Sequence, residues 1–228
     1  MIERKKEFYG GAAMMVGFIA VLIVMFMPIF YGQNALNYLD ALFNSISKGS
    51  AFYVPNLREE VQPFMNDRVE ATLAMPNAAR AEQSVLLFEK AGASVAVTDA
   101  SLNVSGDLGQ ILSNALADAE AVYYNRGEQI QEKYGFEARR VLYNWWSSLN
   151  ALEDALNRQE RFKEAKVAAN VRAKAVETAF NYYQIEPQKI SDRWGIVIFA
   201  LVFYVVYTLW YGFAIMFMFE GWGMDLEH

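Results

Sequence analysis

Two long runs without a charged residue lie near the two ends of the chain, and they constrain its fold more than any other feature. They cover residues 8–39 and 194–219. A helix needs roughly 20 mostly apolar residues to cross a bilayer. A core helix of a soluble protein keeps one polar face, and the second run has none. The runs therefore predict two transmembrane helices, at 10–31 and 194–219.

The first run differs from a cleaved secretory signal. Such a signal has an apolar core of roughly 7–15 residues followed by a small-residue cleavage site. The uncharged run here is far longer, and it contains Pro28, Ile29, Phe30 and Tyr31 where a signal would carry an A-x-A-like site. A retained span is therefore our prediction, and an unusually long signal peptide is the alternative.

The orientation in the membrane follows from the basic residues near the span ends. Arg4, Lys5 and Lys6 precede the first span, and no Lys or Arg follows it until Lys48. Because Lys and Arg concentrate on the cytoplasmic side, both termini should be cytoplasmic and the bulk of the chain should be periplasmic or extracellular. The second span agrees less well, since Arg193 lies on its outer side.

The predicted order of segments is a cytoplasmic N-terminus at 1–9, a span at 10–31, an outer helical bundle at 32–193, a span at 194–219, and a short cytoplasmic C-terminus at 220–228. The localisation is then the inner or plasma membrane. The last residues, Leu226, Glu227 and His228, resemble the start of a purification tag, in which case the natural chain ends near Asp225.

The composition excludes most catalytic machinery. The chain has no Cys, and its one His is His228. Thiolate and His-ligated metal sites, Cys nucleophiles and Ser-His-Asp triads are therefore unavailable. The net charge is −6 and no basic tract exists, which argues against phosphate-mediated nucleic-acid binding. We expect no catalytic residue, cofactor or metal, and no activity as an enzyme.

The middle of the chain shows mainly helical patterning. Asn56 followed by Glu59 resembles a capping box, and Pro63 and Pro76 divide or kink the helix predicted between them. The segment 94–106 is ambiguous and could be a short extended piece. These patterns predict an all-α membrane protein, in which two transmembrane helices flank an outward up-and-down bundle.

One very long helix is predicted from about Phe136 to Ile185. Its apolar residues recur at spacings of three and four, as in a coiled coil. A polar patch at 157–161 interrupts the stripe but contains no Gly or Pro. A single helix is our prediction, and a hairpin broken at the patch is the alternative. Trp145 and Trp146 point about 100° apart on this helix, so one should fill the core and the other should lie on a contact surface.

Each span carries one candidate contact surface. In the first, small residues recur at spacings of three and four, and small residues let transmembrane helices pack closely. These candidate helix-contact residues are Gly10, Ala13, Gly17 and Ala20. In the second, aromatic residues recur every four positions and two hydroxyl groups add hydrogen-bonding capacity. The candidate membrane docking face consists of Phe203, Tyr204, Tyr207, Thr208 and Tyr211.

Both surfaces also have simpler interpretations. The small residues could be a chance pattern. The aromatic face could contact a membrane subunit, a quinone or a lipid, or it could simply face lipid, with Trp194 and Trp222 at the membrane interfaces.

The function that fits these features best is a non-enzymatic integral membrane protein. It would be a structural or accessory subunit of a homo-oligomer or a larger membrane complex, with the bilayer, further copies or other membrane subunits as its partners. One alternative is a four-helix-bundle sensory receptor ectodomain truncated before its output domain. The other is an oligomeric channel, although neither span contains the ionisable residues that ion pathways usually need.

Overall fold

The computed structural model describes residues 2–224, and about 71% of these residues are helical, which confirms the predicted helical majority. The predicted tag residues 226–228 lie outside this range. The chain divides into two compact units. The first comprises the residues up to Ile46 and those from Gln188 onward. We call it the two-helix unit after its two long apolar helices. The central domain comprises Ser47–Pro187.

The secondary structure follows in chain order. The helices are α1 (Lys5–Phe26), α2 (Ala35–Ser50), α3 (Val54–Val61), α4 (Ala78–Lys90), α5 (Leu108–Tyr123), α6 (Gly127–Tyr134), α7 (Ala138–Arg158), α8 (Phe162–Val171), α9 (Glu177–Asn181) and α10 (Ile190–Gly221). The strands are β1 (Arg68–Ala74), β2 (Ser94–Thr98) and β3 (Ser101–Asp107). A 3₁₀ turn, Gln62–Phe64, follows α3, and a π-helical turn, Arg172–Val176, joins α8 to α9.

Helices α1 and α10 are long and apolar enough to cross a membrane. With a rise of 1.5 Å per residue they extend about 33 Å and about 48 Å. Helix α1 ends because the residue before a proline avoids the α region: Met27 is extended, with ψ at 143°, and Pro28 follows it. Residues 28–31, which the sequence placed in the first span, lie beyond this helix.

The central domain contains an antiparallel sheet of three strands in the order β1-β3-β2. The predicted all-α fold is therefore wrong in this domain. In β1, Val69, Ala71 and Leu73 are buried while their neighbours are exposed, which is the alternation of a half-buried strand. The alternation is short and lies between Pro63 and Pro76, so the sequence pattern by itself favours a kinked or divided helix here.

The ambiguous segment 94–106 forms β2 and most of β3, which pair as a hairpin in which Thr98 lies opposite Ser101. The two residues between them include Asp99, with φ at 49°. Asp visits this left-handed region more readily than most residues, so it suits a tight turn.

The prediction of one very long helix is also wrong. Helix α7 ends at Arg158, Glu160 adopts a φ of 60°, and α8 packs back against α7. The broken hairpin, which was the alternative, is the observed structure. The turn is held by side chains that reach β1: Gln159 Nε2 donates to the carbonyl of Glu70 at 2.9 Å, and Arg161 donates to the carbonyl of Arg68 at 3.0 Å. These tertiary contacts outweigh the local helix propensity.

The core of the central domain lies between the sheet and helices α3 to α9. Trp145 is fully buried there and meets the Phe88 ring edge to face at 5.7 Å. Trp146 is only partly buried, so the two adjacent indoles divide between core and surface as the sequence predicts. Other large, fully buried apolar side chains of this core are Leu57, Leu73, Leu87, Leu102, Leu108, Ile111, Leu112, Leu116, Leu142, Leu149, Leu152 and Leu156.

Candidate functional site

Helices α1 and α10 approach each other closely at Gly11 of α1 and at Gly221 of α10. A Cβ atom built on Gly11 would lie 2.7 Å from both the carbonyl oxygen of Ala214 and the amide nitrogen of Met218. No side chain fits in that space, and Ala214 itself is fully buried. Gly221 lies in the same way against the backbone of Phe8. Close backbone approach at small residues is typical of transmembrane helix pairs.

Two side chains of α10 donate hydrogen bonds to the backbone of α1. Trp210 Nε1 donates to the carbonyl of Met14 at 3.0 Å, and the Tyr207 hydroxyl donates to the carbonyl of Phe18 at 2.9 Å. The Phe18 and Tyr207 rings also stack at 4.2 Å. Both polar groups are therefore satisfied within the helix pair, as a hydrocarbon environment requires.

The predicted small-residue stripe lies mostly on a different face of α1. Only Gly17 meets α10, with the built Cβ 3.0 Å from the Trp210 ring. Gly10, Ala13 and Ala20 are exposed, and nothing lies within 4 Å of a Cβ built on Gly10. Gly10 and Ala13 therefore lie outside the close contact with α10, while Ala20 lines the cavity described below. The role of the stripe as a contact between subunits stays a prediction.

Some residues of the predicted docking face pack against α1, and others are exposed on the surface of the helix pair. Tyr207 packs inward, with Phe203 stacked on it at 5.3 Å. Tyr211 lies partly against Phe18, at 5.1 Å. Tyr204 is 69% exposed, and the Thr208 hydroxyl donates to its backbone carbonyl at 2.7 Å. Tyr204 therefore presents its ring and hydroxyl to the surroundings.

A cavity of about 590 Å³ lies in the two-helix unit. It is bounded by the last turns of α1, by α10 from Ile196 to Phe203, and by the start of α2. The lining is apolar apart from the hydroxyl groups of two tyrosines. The lining residues are Ala20, Val21, Val24, Met25, Phe30, Tyr31, Ala35, Tyr38, Leu39, Ile196, Phe199, Ala200 and Phe203.

A tight turn after α1 forms one wall of this cavity. Phe30 and Gln33 exchange two backbone hydrogen bonds of 2.9 Å. Tyr31 and Gly32 between them have φ values of 53° and 80°. Such values at both central positions define a type I′ turn, which favours Asn and Gly. The left-handed conformation costs Tyr31 about 1–2 kcal/mol. Its side chain is 95% exposed, and its ring stacks on that of Tyr38 with the centroids 6.3 Å apart.

The central domain carries a surface cleft of about 240 Å³. It is lined by Tyr143 and Trp146 of α7 and by Glu177, Phe180 and Asn181 of α9, and we call it the aromatic cleft. The first two rings are stacked, with their centroids 6.2 Å apart. Trp146 Nε1 donates to Glu177 at 3.2 Å. The indole is therefore held in place while part of its surface stays accessible.

Three arginines border the aromatic cleft. The Arg80 guanidinium lies 4.5 Å from the centroid of the Tyr143 ring, and that of Arg172 lies 5.5 Å from the Trp146 ring. Arg139 lies 5.9 Å from Phe180. Guanidinium groups at these distances are attracted by the ring faces. Arg, Tyr and Trp are the residues enriched in the energetically dominant parts of protein interfaces.

A buried carboxylate, Asp118, organises a polar network inside the central domain. It accepts hydrogen bonds from the Tyr134 hydroxyl at 2.6 Å, from Trp145 Nε1 at 2.8 Å, and from Lys133 Nζ at 2.6 Å. Burial, followed by the charge of Asp118, raises the pKa of Tyr134. Asn114 donates to the Tyr134 oxygen. Because every group is satisfied, this network supports the fold and leaves no site for a ligand.

A second buried charge lies near the two ends of the central domain. Lys48 is fully buried, and its Nζ donates to the carbonyl of Ile185 at 2.5 Å and to Asn125 Oδ1 at 3.2 Å. Asn125 also accepts from the amide of Gln184 at 2.8 Å and donates to Glu186 at 3.0 Å. Burial lowers the pKa of Lys48, and the nearby Glu186 opposes this. The cluster ties the first and last segments of the domain together.

Several of these residues could not be identified from the sequence pattern. Gly11 lies beside Gly10 in the sequence, and only the rotation of α1 decides which of them faces α10. Trp210 lies well inside the second charge-free run, and nothing in that sequence predicts its hydrogen bond to the carbonyl of Met14. The aromatic cleft was anticipated only in part, through Trp146.

No group of three or more acidic, His or Cys side chains within residues 2–224 is arranged to hold a metal ion. Comparison of the chain with protein-family models, with curated proteins and with solved structures finds no match. The sites above are therefore interpreted from their geometry and chemistry.

Proposed function

We propose that this protein is a non-enzymatic, two-pass membrane protein that serves as a structural or accessory subunit of a homo-oligomer or a larger membrane complex. Helices α1 and α10 are its spans. Arg4, Lys5 and Lys6 keep both termini in the cytoplasm, so the central domain faces outward from the inner or plasma membrane. The internally satisfied Trp210 and Tyr207 support the pair as a stable membrane anchor.

The aromatic cleft is the observation that best supports a role as a subunit of a larger assembly. Its side chains combine large rings with guanidinium groups, and salt bridges and hydrogen bonds hold them in position before any partner binds. Arg172 pairs with Glu153 at 3.0 Å, and Arg80 donates to Asn144 at 2.7 Å. A pre-ordered contact surface loses less side-chain entropy on binding. The cleft is therefore suited to a protein partner.

The size of the aromatic cleft favours a protein over a small ligand. Pockets for small molecules usually enclose about 300–1,000 Å³, and this cleft holds about 240 Å³. The sensory-receptor alternative rested on a four-helix bundle, and a domain with a three-stranded sheet gives that alternative no support. The absence of charge along most of α1 and α10 likewise gives little support to a channel.

The test is the mass of the assembly purified in mild detergent, measured by light scattering. Trp146→Ala removes the central ring of the cleft, and we expect it to yield a smaller species or to lose a co-purifying subunit. Phe162→Ala is the matched control, because Phe162 is an aromatic residue that is 63% exposed outside the cleft. An unchanged mass and composition for Trp146→Ala would contradict the proposed role of the cleft.

A further inference from the structure

We propose that the cavity of the two-helix unit holds one acyl chain of a membrane phospholipid, and that Arg193 contacts the phosphate of the same molecule. The inference rests on the membrane insertion proposed above. The cavity would hold the acyl chain of the lipid, and Arg193 would bind the phosphate of its headgroup. Neither the helix contact nor the aromatic cleft requires such a lipid.

The chemistry of the lining selects a hydrocarbon chain. Between residues 20–25 and 196–203 the cavity offers methyl, methylene, thioether and phenyl groups. A polar ligand placed there would lose its hydrogen bonds to water without replacement, whereas an acyl chain loses none. The volume, about 590 Å³, lies within the range of ligand-binding cavities. Because the lining belongs to the charge-free runs, the open side of the cavity faces bilayer hydrocarbon.

The cavity is enclosed on more sides than the ordinary surface of a span. Phe203 lines the cavity, and its ring stacks on that of Tyr207, which in turn stacks on Phe18 of α1. The strained turn at Tyr31 and the first residues of α2 also line the cavity. A chain inside would contact α1, α10 and this turn together, while a lipid on the outer face of α10 contacts a single helix.

Arg193 lies where the phosphate of such a lipid would be. It precedes Ile196 by three residues and Ala200 by seven, so all three lie on one face of α10. Its Nε donates to Gln188 at 2.8 Å, and its two terminal nitrogens have no partner within residues 2–224. Guanidinium groups bind phosphate through paired hydrogen bonds.

The length of the site also matches one leaflet. Ten residues of helix separate Arg193 from Phe203, which is about 15 Å. This is about half of the roughly 30 Å hydrocarbon core. Tyr31 and Tyr38 then lie near the headgroup end, the depth at which tyrosine rings concentrate.

The experiment uses the full chain in vesicles of phosphatidylglycerol that contain a phosphatidylglycerol with a diazirine on one acyl chain. After irradiation, mass spectrometry maps the adducts. We expect adducts on Val21, Met25 and Phe203, which line the cavity and are partly buried, to exceed those on Val202 and Leu209, which are more than half exposed. The same diazirine chain on diacylglycerol, which lacks phosphate, should give much less labelling of the cavity.

Three variants complete the test, each checked for helicity by circular dichroism. Ala20→Phe fills the cavity from α1, and Val24→Trp fills it from a second position, so failure of either protein to fold leaves the other to decide. Both should lose the excess labelling, while Val202→Phe on the outer face should retain it. Arg193→Gln should abolish the preference for phosphatidylglycerol over diacylglycerol.

Equal labelling of the cavity and the outer face, or unchanged labelling in both filled variants, would overturn the proposal while leaving membrane insertion intact. A phosphate-independent excess would remove the role of Arg193 and the assignment to a phospholipid. Absence of adducts from both α1 and α10 would overturn membrane insertion and, with it, the lipid site.

Discussion

Asp118→Leu should destabilise the central domain more than any conservative surface change. Leucine has a similar volume but no acceptor for the three donors that surround Asp118. Trp145 is fully buried, so its Nε1–H would stay without a partner. Tyr134 would keep the bond from Asn114 but lose the acceptor for its own proton. Lys133 is 30% exposed at its side chain and can turn to water.

The magnitude follows from these losses. Each buried donor without an acceptor costs about 1–3 kcal/mol. The two donors that stay buried, Trp145 Nε1 and the Tyr134 hydroxyl, together cost about 2–6 kcal/mol. We therefore expect the free energy of unfolding to fall by about 3–5 kcal/mol, a large part of the 5–15 kcal/mol that typical domains possess.

The assay is urea unfolding of residues 47–187, followed by tryptophan fluorescence. This segment is a compact unit with its own core. Asp154→Leu, at an exposed position of α7, is the matched control and should change the stability by less than about 0.5 kcal/mol. A loss below about 1 kcal/mol for Asp118→Leu would refute the argument, because it is below the cost of even one unpaired buried donor.

Three further predictions concern pH, the Lys48 cluster and the helix contact. The pKa of Tyr134 is raised in the folded state, so its contribution to the free energy of unfolding is complete below pH 10 and falls above pH 10 by about 1.4 kcal/mol per pH unit. Tyr134→Phe should remove this contribution from the pH dependence of the free energy of unfolding, measured by urea titration. Lys48→Met should leave urea stability nearly unchanged, since Asn125 still serves the neighbouring backbone groups, whereas Asn125→Ala should cost about 2–4 kcal/mol. Gly11→Leu should lower the unfolding temperature in detergent, and Gly10→Leu should not, because only Gly11 lacks space.

The two apolar helices could be predicted from sequence because hydrocarbon tolerates so few charged residues that their absence is conspicuous. The sheet could not. Strand β1 gives only a seven-residue alternation, and it lies between prolines that are equally compatible with a kinked helix. Its identity as a strand depends on pairing with β3, more than 25 residues away in the chain, as in Val69 opposite Gly106.

The break between α7 and α8 illustrates a second limit. Nothing in the local sequence stops a helix at Glu160. The turn exists because Arg161 and Gln159 find partners on β1, and a sequence without a predicted β1 offers no such partners. The orientation of α1 is a third case: a rotation of about 100° separates Gly10 from Gly11, and hydrophobic periodicity is too weak to set it in a helix that is apolar on all sides.

In the proposed function, α1 and α10 span the membrane and the central domain lies on its outer side. The chain has no Cys, so one introduced thiol reports one position. Glu128→Cys lies on an exposed site of the central domain, and Glu3→Cys lies before α1. With a membrane-impermeant maleimide, we predict that Glu128→Cys reacts in intact cells, whereas Glu3→Cys reacts only after lysis. Reaction of Glu3→Cys in intact cells together with protection of Glu128→Cys would contradict the proposed orientation, and reaction of neither or both would contradict the two-pass arrangement.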